Sequence, residues 1–130
     1  MIVADASVIL EVLLRTPAAA AVEARIFTGE TLHAPHVLDL EVAQVLRRYE
    51  LRGELSARRG AEALADFADL TIERYPHHLF LGRIHELRHN LTSYDAAYIA
   101  LAEALGAPLV TRDSRLGCVP GHGARVEVIG

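Results

Sequence analysis

Short apolar runs alternate along this chain with longer segments in which apolar residues recur at helical spacing. The short runs predict buried strands, at 1–4, 31–34, 70–73, 108–111 and 126–129. The longer segments predict helices, at 7–14, 17–27, 37–51, 57–67, 78–89 and 94–105. Because helices separate the strands, this order predicts βαβ units, which form a mainly parallel sheet with helices on both faces. We therefore expect an α/β fold, and no repeat or linker divides residues 1–130, which favours one domain.

Several predicted helices begin or end at residues that commonly occupy those positions. Ser56 and Ser93 are expected to be N-caps, because a serine hydroxyl can accept a hydrogen bond from a free N–H group of the first turn. Pro17 is expected to open the second helix. Gly29 and Gly106 are expected to end the helices before them. These residues set the predicted helix boundaries.

The composition is typical of a folded protein outside the membrane. Apolar residues make up 52% and charged residues 23% of the 130 positions. No apolar run approaches the roughly 20 residues that a membrane span needs. A single cysteine excludes an internal disulfide, and the first residues lack the basic segment of a signal peptide. We therefore expect a cytoplasmic protein.

All 13 basic residues are arginines. The formal net charge of −4 argues against a nonspecific nucleic-acid-binding protein. Arginine nevertheless binds phosphate through two parallel hydrogen bonds, so the clusters at 47–59 and 112–115 are either phosphate contacts or solvated helix faces. The lack of lysine argues strongly against a receiver-type phosphoacceptor, because that site uses a lysine after a late strand.

Four acidic residues are expected to meet at one edge of the sheet. Asp5 and Asp113 come at the ends of the first and fourth predicted strands, while Glu41 and Asp95 lie in the first turns of helices. Each helix of a βαβ unit begins near the carboxyl end of the strand before it, and ligand sites in open α/β sheets gather at that edge. All four carboxylates can therefore reach the same place.

Two of these acids border the buried face of their helices. Positions three, four and seven after Asp95 are apolar, and Glu41 lies four residues before Val45. A carboxylate turned inward is costly without a partner, and a bound cation is the natural one. Taken singly, each acid also has an ordinary explanation: Asp5 as a helix cap, Asp95 and Glu41 as first-turn acids, and Asp113 as a turn residue.

Other side chains suggest weaker alternatives. The four histidines between 77 and 89 invite a zinc site, since residues four apart share a helix face. No cysteine or close acid completes that ligand set, which favours a solvated or capping role. Tyr94 and Tyr98 are candidates for stacking on a nucleobase, although packing suits Tyr98 better.

The motifs that carry these acids resemble those of the PIN domain, and within it most closely the VapC-type toxins of bacterial toxin–antitoxin pairs. The resemblance rests on four stretches in the right order and spacing, MIVADAS at 1–7, DLEV at 39–42, TSYDAAYIALA at 92–102 and PLVTRD at 108–113. It covers essentially the whole chain. The two later stretches are the most specific, whereas the opening Asp-Ala-Ser alone is a weak signal.

The resemblance implies a three-layer α/β/α fold and an endoribonuclease activity that depends on Mg²⁺ or Mn²⁺. It also implies a homodimer and a cognate antitoxin protein that blocks the site. The acidic cluster of the family, as metal ligands and catalytic residues, carries over onto Asp5, Glu41, Asp95 and Asp113. Its two hydroxyl residues, which orient the acids, carry over onto Ser7 and Thr111.

The stretch after the fourth acid departs from part of the family. Some members carry a further acid there, whereas Ser114 and Arg115 occupy it in this chain, which puts a second metal position in doubt. Arg112 and Arg115 are instead candidate contacts for the backbone of an RNA substrate.

Other functions stay open at this point. A DNA nuclease or a metal-dependent phosphatase would use the same acids, and a catalytically silent PIN fold would bind RNA or protein without needing them. An apolar groove between the helices at 7–28 and 37–67 is expected to receive a helix of the antitoxin.

Overall fold

The computed structural model describes residues 1–130 and contains one sheet of five strands, all of them parallel. The strands are β1 (Ile2–Ala4), β2 (Leu32–Pro35), β3 (Ile72–Tyr75), β4 (Leu109–Thr111) and β5 (Val126–Val128). Their order across the sheet is β3-β2-β1-β4-β5. The chain crosses over between successive strands, so the carboxyl ends of all five lie at one edge. The predicted α/β class is confirmed, and the sheet is parallel throughout.

Six α-helices accompany the sheet. They are α1 (Ala6–Leu14), α2 (Ala19–Ile26), α3 (Val37–Leu51), α4 (Ala57–Asp69), α5 (Leu81–Glu86) and α6 (Ser93–Leu105). Short 3₁₀ turns lie at His77–Phe80 and Ser114–Cys118. None of these helices combines the length and the apolar character that crossing a bilayer requires.

Helices cover both faces of the sheet. All three residues of β1 are buried, although successive side chains of a strand point to opposite faces. On one side α1 packs against α2, α3 and α4, and on the other α5 packs against α6. This arrangement confirms the predicted three-layer α/β/α fold.

Helix α6 is the most deeply buried helix. Seven consecutive residues, 96–102, are buried in it, and four of the seven are alanines. A helix enclosed on most sides needs such small side chains to approach its neighbours, and α6 contacts β1, β2, β4 and α5. The first turn of α6, which carries Asp95, is therefore anchored to the sheet.

The third strand lies two residues later than predicted, at Ile72–Tyr75 instead of 70–73. Helix α4 continues to Asp69, and Leu70 is the extended residue that ends it. The strand then pairs in parallel with β2, with Ile72 opposite Leu32. Pairing with a neighbour, rather than local apolar content, decides where this strand begins.

The single helix predicted at 78–89 is wrong. A 3₁₀ turn at His77–Phe80 precedes the short helix α5, and turns follow it. The N–H groups of Arg88 and Asn90 bond to carbonyl groups only three residues earlier, so the backbone tightens and leaves the α-helical path. Apolar spacing does not distinguish these two helical forms over so short a segment.

Two predicted helix starts are also displaced. Thr92, not Ser93, is the N-cap of α6, because its hydroxyl accepts a hydrogen bond from the Asp95 N–H at 3.2 Å. Both residues carry a hydroxyl, so the local sequence does not separate them. Helix α2 begins at Ala19, two residues after Pro17.

A buried histidine on β2 gives the fold a predictable pH dependence. His33 is 7% exposed, and its ring nitrogens lie 2.6 Å from the Thr31 hydroxyl and 2.7 Å from the Tyr75 hydroxyl. Burial lowers the pKa of His33, with Glu73 opposing this effect. A histidine with a lowered pKa binds its proton less readily in the folded state, so its contribution to stability is lost as the pH falls below the unfolded pKa of about 6.5.

We expect the wild-type chain to lose more stability between pH 7.5 and pH 5.5 than a His33→Gln variant does. Urea unfolding at both pH values measures the two differences, and the variant cancels the contributions of all other titrating groups. Equal pH dependence in the two proteins would contradict an unprotonated His33.

A cavity of about 610 Å³ borders this histidine, and none of the four predicted acids lines it.

Candidate active site

The four predicted acids occupy the carboxyl edge of the sheet. Asp5 follows β1, and Asp113 lies two residues after β4, which is the direct neighbour of β1. Glu41 lies near the start of α3, and Asp95 lies in the first turn of α6. The charges of Asp5 and Asp95 both raise the pKa of Glu41, and the charge of Asp113 raises that of Asp95. The structure therefore brings the four acids into electrostatic contact.

Asp5 is the most buried of them, at 8% exposed. It is the N-cap of α1, where its Oδ1 atom accepts hydrogen bonds from the Ser7 N–H at 3.0 Å and the Val8 N–H at 3.4 Å. The capping explanation and the cluster explanation therefore both apply to this residue. Burial is the main influence on its pKa and raises it, while these hydrogen bonds partly offset the effect.

Two hydroxyl side chains fix the Asp5 carboxylate. The Ser7 hydroxyl donates to Oδ1 at 2.5 Å, and the fully buried Thr111 hydroxyl donates to Oδ2 at 2.5 Å. The Ser7 oxygen also accepts the Arg112 N–H at 2.8 Å, and the Thr111 oxygen accepts the Asp113 N–H at 3.0 Å. The two hydroxyl groups thus connect the ends of β1 and β4 and hold one acid in a defined orientation.

Glu41 has a partner that the sequence analysis did not assign. The hydroxyl of Tyr98, a residue only 1% exposed, donates to Glu41 Oε1 at 2.6 Å. Burial is the largest influence raising the pKa of Glu41, whereas this hydrogen bond lowers it. A buried tyrosine hydroxyl usually needs a hydrogen-bond partner. In the sequence, this was the one indication that Tyr98 does more than pack in the core. The contact makes Tyr98 a positioning residue for Glu41.

We expect Tyr98→Phe to lower the rate of any reaction at this site by about tenfold, which is typical for loss of a group that orients a ligand residue. The substitution removes only the hydroxyl, and the Glu41 carboxyl then has a higher pKa. The acidic limb of the pH–rate profile should accordingly move to higher pH. Tyr49→Phe is the matched control, since the Tyr49 hydroxyl lies on the same helix as Glu41 and should leave the profile unchanged. An unshifted profile in Tyr98→Phe would show that the hydroxyl has no part in positioning Glu41.

Asp95 and Asp113 differ in their neighbours. Burial raises the pKa of Asp95, and Asp113 raises it further. Asp113 is instead held by Arg115, whose guanidinium contacts its two oxygens at 3.1 and 2.7 Å and lowers its pKa. One of the four acids therefore forms a salt bridge, and the other three form none, although the charge of Arg115 also lowers the pKa of Asp95.

The two candidate substrate contacts lie in different surroundings. The Arg115 side chain is 81% exposed beside Asp113. The Arg112 guanidinium donates to the Ile129 carbonyl at 2.9 Å, which ties the end of β4 to the last residues of the chain. Arg115 is thus the freer of the two, and both assignments stay predictions.

The donor chemistry of this edge suits a hard divalent cation. Asp5 is buried and Glu41 and Asp95 are partly buried, and these three oxygen donors form no salt bridge with a cationic side chain. The structure contains no group of three or more His, Cys, Asp or Glu side chains placed to hold a metal ion. The histidines between 77 and 89 therefore form no zinc site. Mg²⁺ does not require three, because one or two carboxylates commonly hold it together with water and substrate phosphate. The residues therefore fit such an ion.

Comparison with known proteins finds relatives of this chain in sequence and in fold. A model of the PIN domain matches residues 2–121. Ribonuclease VapC12 of Mycobacterium tuberculosis is 44% identical over 129 residues, which are 99% of this chain and 99% of that protein. Ribonuclease VapC9 of the same organism is 46% identical over 116 residues, which cover 89% of this chain and 88% of that protein.

A solved structure extends the comparison to three dimensions. The structure of VapBC2 from Rickettsia felis was solved with a DNA fragment from the promoter of VapBC2. It superposes with a TM-score of 0.73 over 98% of this chain and 98% of that one. The sequences are 14% identical, so this likeness concerns the fold alone.

Proposed function

The chain belongs to the PIN domain family, as a relative of the VapC ribonucleases, and from this premise we propose that it is a Mg²⁺- or Mn²⁺-dependent endoribonuclease. The RNA-cleaving class follows from the relatives, which are named ribonucleases at 44% and 46% identity. The metal dependence rests on the site. We further propose that the enzyme is the toxin of a toxin–antitoxin pair and that it acts on RNA in the cytoplasm.

One observation carries the proposal. Asp5, Glu41 and Asp95 share one edge of the sheet, burial raises the pKa of each, and none forms a salt bridge. Clustered buried carboxylates repel one another and are stable in ionised form only when a cation joins them. A divalent ion bound by two or more of them meets that requirement.

With Mg²⁺ or Mn²⁺ held by these carboxylates, a bound water molecule would have a lower pKa and a phosphodiester would lose charge to the ion. Asp5 is the best-placed ligand, because Ser7 and Thr111 fix both of its oxygens. Glu41 is the second, oriented by Tyr98. The protein residues thus provide negative charge in fixed positions before any substrate arrives.

The negatively charged phosphate of the substrate also needs a cationic side chain beside it. Arg115 lies at the acid edge and is largely exposed, so its guanidinium can exchange Asp113 for a phosphate oxygen. Arg112 would first have to leave the Ile129 carbonyl. We therefore propose Arg115 as the principal contact for the RNA backbone and Arg112 as a subsidiary one.

The protein partners belong to the same proposal. A cognate antitoxin is proposed to cover the acid edge, and the chain is proposed to form a homodimer. The groove predicted between the helices at 7–28 and 37–67 lies where α1 already packs against α3 and α4. A docking helix there would have to lie over these contacts.

The test is to incubate the purified chain with a pool of cellular RNA in Mg²⁺, in Mn²⁺ and in EDTA. We expect discrete fragments in either metal and intact RNA in EDTA. A Glu41→Gln protein purified in the same way reports any contaminating ribonuclease, because it should leave the RNA intact.

Cleavage that persists in EDTA would remove the metal from the mechanism. Single-stranded DNA of mixed sequence is the parallel substrate, and cutting of DNA alone would replace the ribonuclease by a DNA nuclease. A folded chain that cuts neither polymer would support a PIN fold that only binds RNA or protein.

A further inference from the structure

A groove of about 700 Å³ runs along α3 directly beside the acid edge. Leu40, Gln44 and Arg47 line it from the exposed face of α3, where residues four and seven apart are neighbours. Tyr94, the second residue of α6, completes the lining. Glu41 belongs to the same lining, so the groove and the acid site share a wall.

The aromatic ring in this groove is available for contact. Tyr94 is 62% exposed, although it directly precedes Asp95 on a helix whose next residues are buried. Leu40, which lines the same groove, is 72% exposed. Two large apolar side chains thus share one groove in contact with solvent, whereas single exposed apolar residues are ordinary.

The groove also carries two arginines that form no ion pair. Arg47 and Arg48 line it, and neither is among the arginines that form ion pairs in the structure. Arg25, Arg74 and Arg83, by contrast, are each held by a carboxylate at 2.6 to 2.8 Å. In a chain whose formal net charge is −4, two free guanidinium groups beside an acid site provide local attraction for an anion.

We propose that this groove is the subsite for an unpaired nucleotide next to the phosphodiester that is cut. Its base stacks on the Tyr94 ring, and Arg47 and Arg48 hold the flanking phosphates. The inference rests on the proposed function, because the acid site supplies the scissile position.

The charge and the ring together favour this occupant over a protein segment. Every base presents a π-face that an exposed aromatic side chain can stack on, and single strands offer such bases while duplexes keep them stacked inside. Guanidinium groups suit the phosphates between those bases.

Binding is measured by fluorescence anisotropy with fluorescein-labelled RNA octamers of mixed sequence, in Mg²⁺, on full-length protein carrying Asp5→Asn so that cleavage does not interfere. We expect Tyr94→Ala to weaken binding by about tenfold, the scale of losing one base–aromatic stack. Tyr94→Phe keeps the ring and should bind like its parent. Duplex RNA of the same length should bind with no dependence on Tyr94.

The salt dependence tests the two arginines. Replacing Arg47 and Arg48 together by alanine should reduce the slope of log affinity against log salt by about 1.4, since each phosphate contact on a single strand contributes about 0.7. Arg125→Ala is the matched control. Arg125 is 71% exposed and precedes β5, at the opposite edge of the sheet, so its loss should leave the slope unchanged.

Unchanged affinity in Tyr94→Ala would overturn the subsite, even if the wild-type chain cleaves RNA. A change in oligomeric mass in Leu40→Ser and Tyr94→Ala by light scattering, without a change in RNA affinity, would make the groove a protein interface and would also overturn it. Tyr94-dependent binding by a chain that cleaves no RNA would support the subsite while the proposed function fails.

Discussion

Replacing Asp5 with asparagine is expected to abolish RNA cleavage and, at the same time, to make the fold more resistant to unfolding at neutral pH. Asp5 is buried, and burial is the main cause that raises its pKa. A carboxyl with a raised pKa binds its proton more tightly in the folded state. Its contribution to stability is therefore present at low pH and is lost as the pH rises through the folded pKa. When Asp5 is ionised, the fold carries a buried charge that asparagine would remove.

Asparagine keeps the helix-capping acceptor at this position. It is as good an N-cap as aspartate, so the Ser7 and Val8 N–H groups retain an acceptor. It lacks the negative charge that a cation requires, and we expect the cleavage rate to fall by at least about a hundredfold, the scale of losing one preorganised electrostatic group.

Urea unfolding at pH 5 and pH 8, together with cleavage of labelled RNA, tests both parts. Asp39→Asn is the control, because Asp39 lies on α3 but pairs with Arg74 at 2.8 Å, and its loss should leave cleavage unchanged. Full cleavage by Asp5→Asn would exclude Asp5 as a ligand. A variant less stable than the wild type at pH 8 would contradict the account of a destabilising buried charge.

Replacing Thr111 with valine is expected to have the second largest effect, on stability and on cleavage together. The Thr111 hydroxyl donates to Asp5 Oδ2 at 2.5 Å and accepts the Asp113 N–H at 3.0 Å, and the residue is fully buried. Valine has nearly the same shape but leaves a carboxylate oxygen and an N–H group without this partner. We expect the free energy of unfolding to fall by about 1–3 kcal/mol and the cleavage rate to fall by up to about a hundredfold.

Thr111→Ser separates the hydroxyl from the methyl group. Serine keeps both hydrogen bonds, so cleavage should stay near the wild-type rate even if the lost methyl group lowers stability somewhat. Denaturant unfolding and initial cleavage rates on the two variants make the comparison. If serine is as inactive as valine, packing of the methyl group and not the hydrogen bonds determines the geometry of Asp5.

The sequence by itself determined the fold class and the edge at which the acids meet. Alternation of short apolar runs with helical segments is a local pattern, and it favours a parallel sheet because parallel neighbours need a crossover connection such as a helix. Asp5 and Asp113 come at strand ends, and all strand ends of a parallel sheet lie at one edge. The motifs that resemble the PIN domain added the expectation of a metal-dependent ribonuclease site, and the family match over residues 2–121 confirmed the resemblance.

Helix and strand boundaries were less accessible, because several are decided by distant partners. The start of β3 depends on its pairing with β2. In that pair Ile72 lies opposite Leu32, a residue 40 positions earlier in the chain. The N-cap of α6 depends on which of two adjacent hydroxyl residues, Thr92 or Ser93, takes the extended backbone. Neither choice is visible in a local window of sequence.

Only the tertiary structure decided which side chains hold the acids. Tyr98 reaches Glu41 across 57 residues of chain, and Thr111 reaches Asp5 across 106. These contacts depend on the strand order β3-β2-β1-β4-β5, which places β4 beside β1 although three strands precede it in sequence. Periodicity reports which face of an element is buried, because that is a property of neighbouring residues. It carries no information about which buried hydroxyl meets which carboxylate, because that pairing exists only once the sheet has assembled.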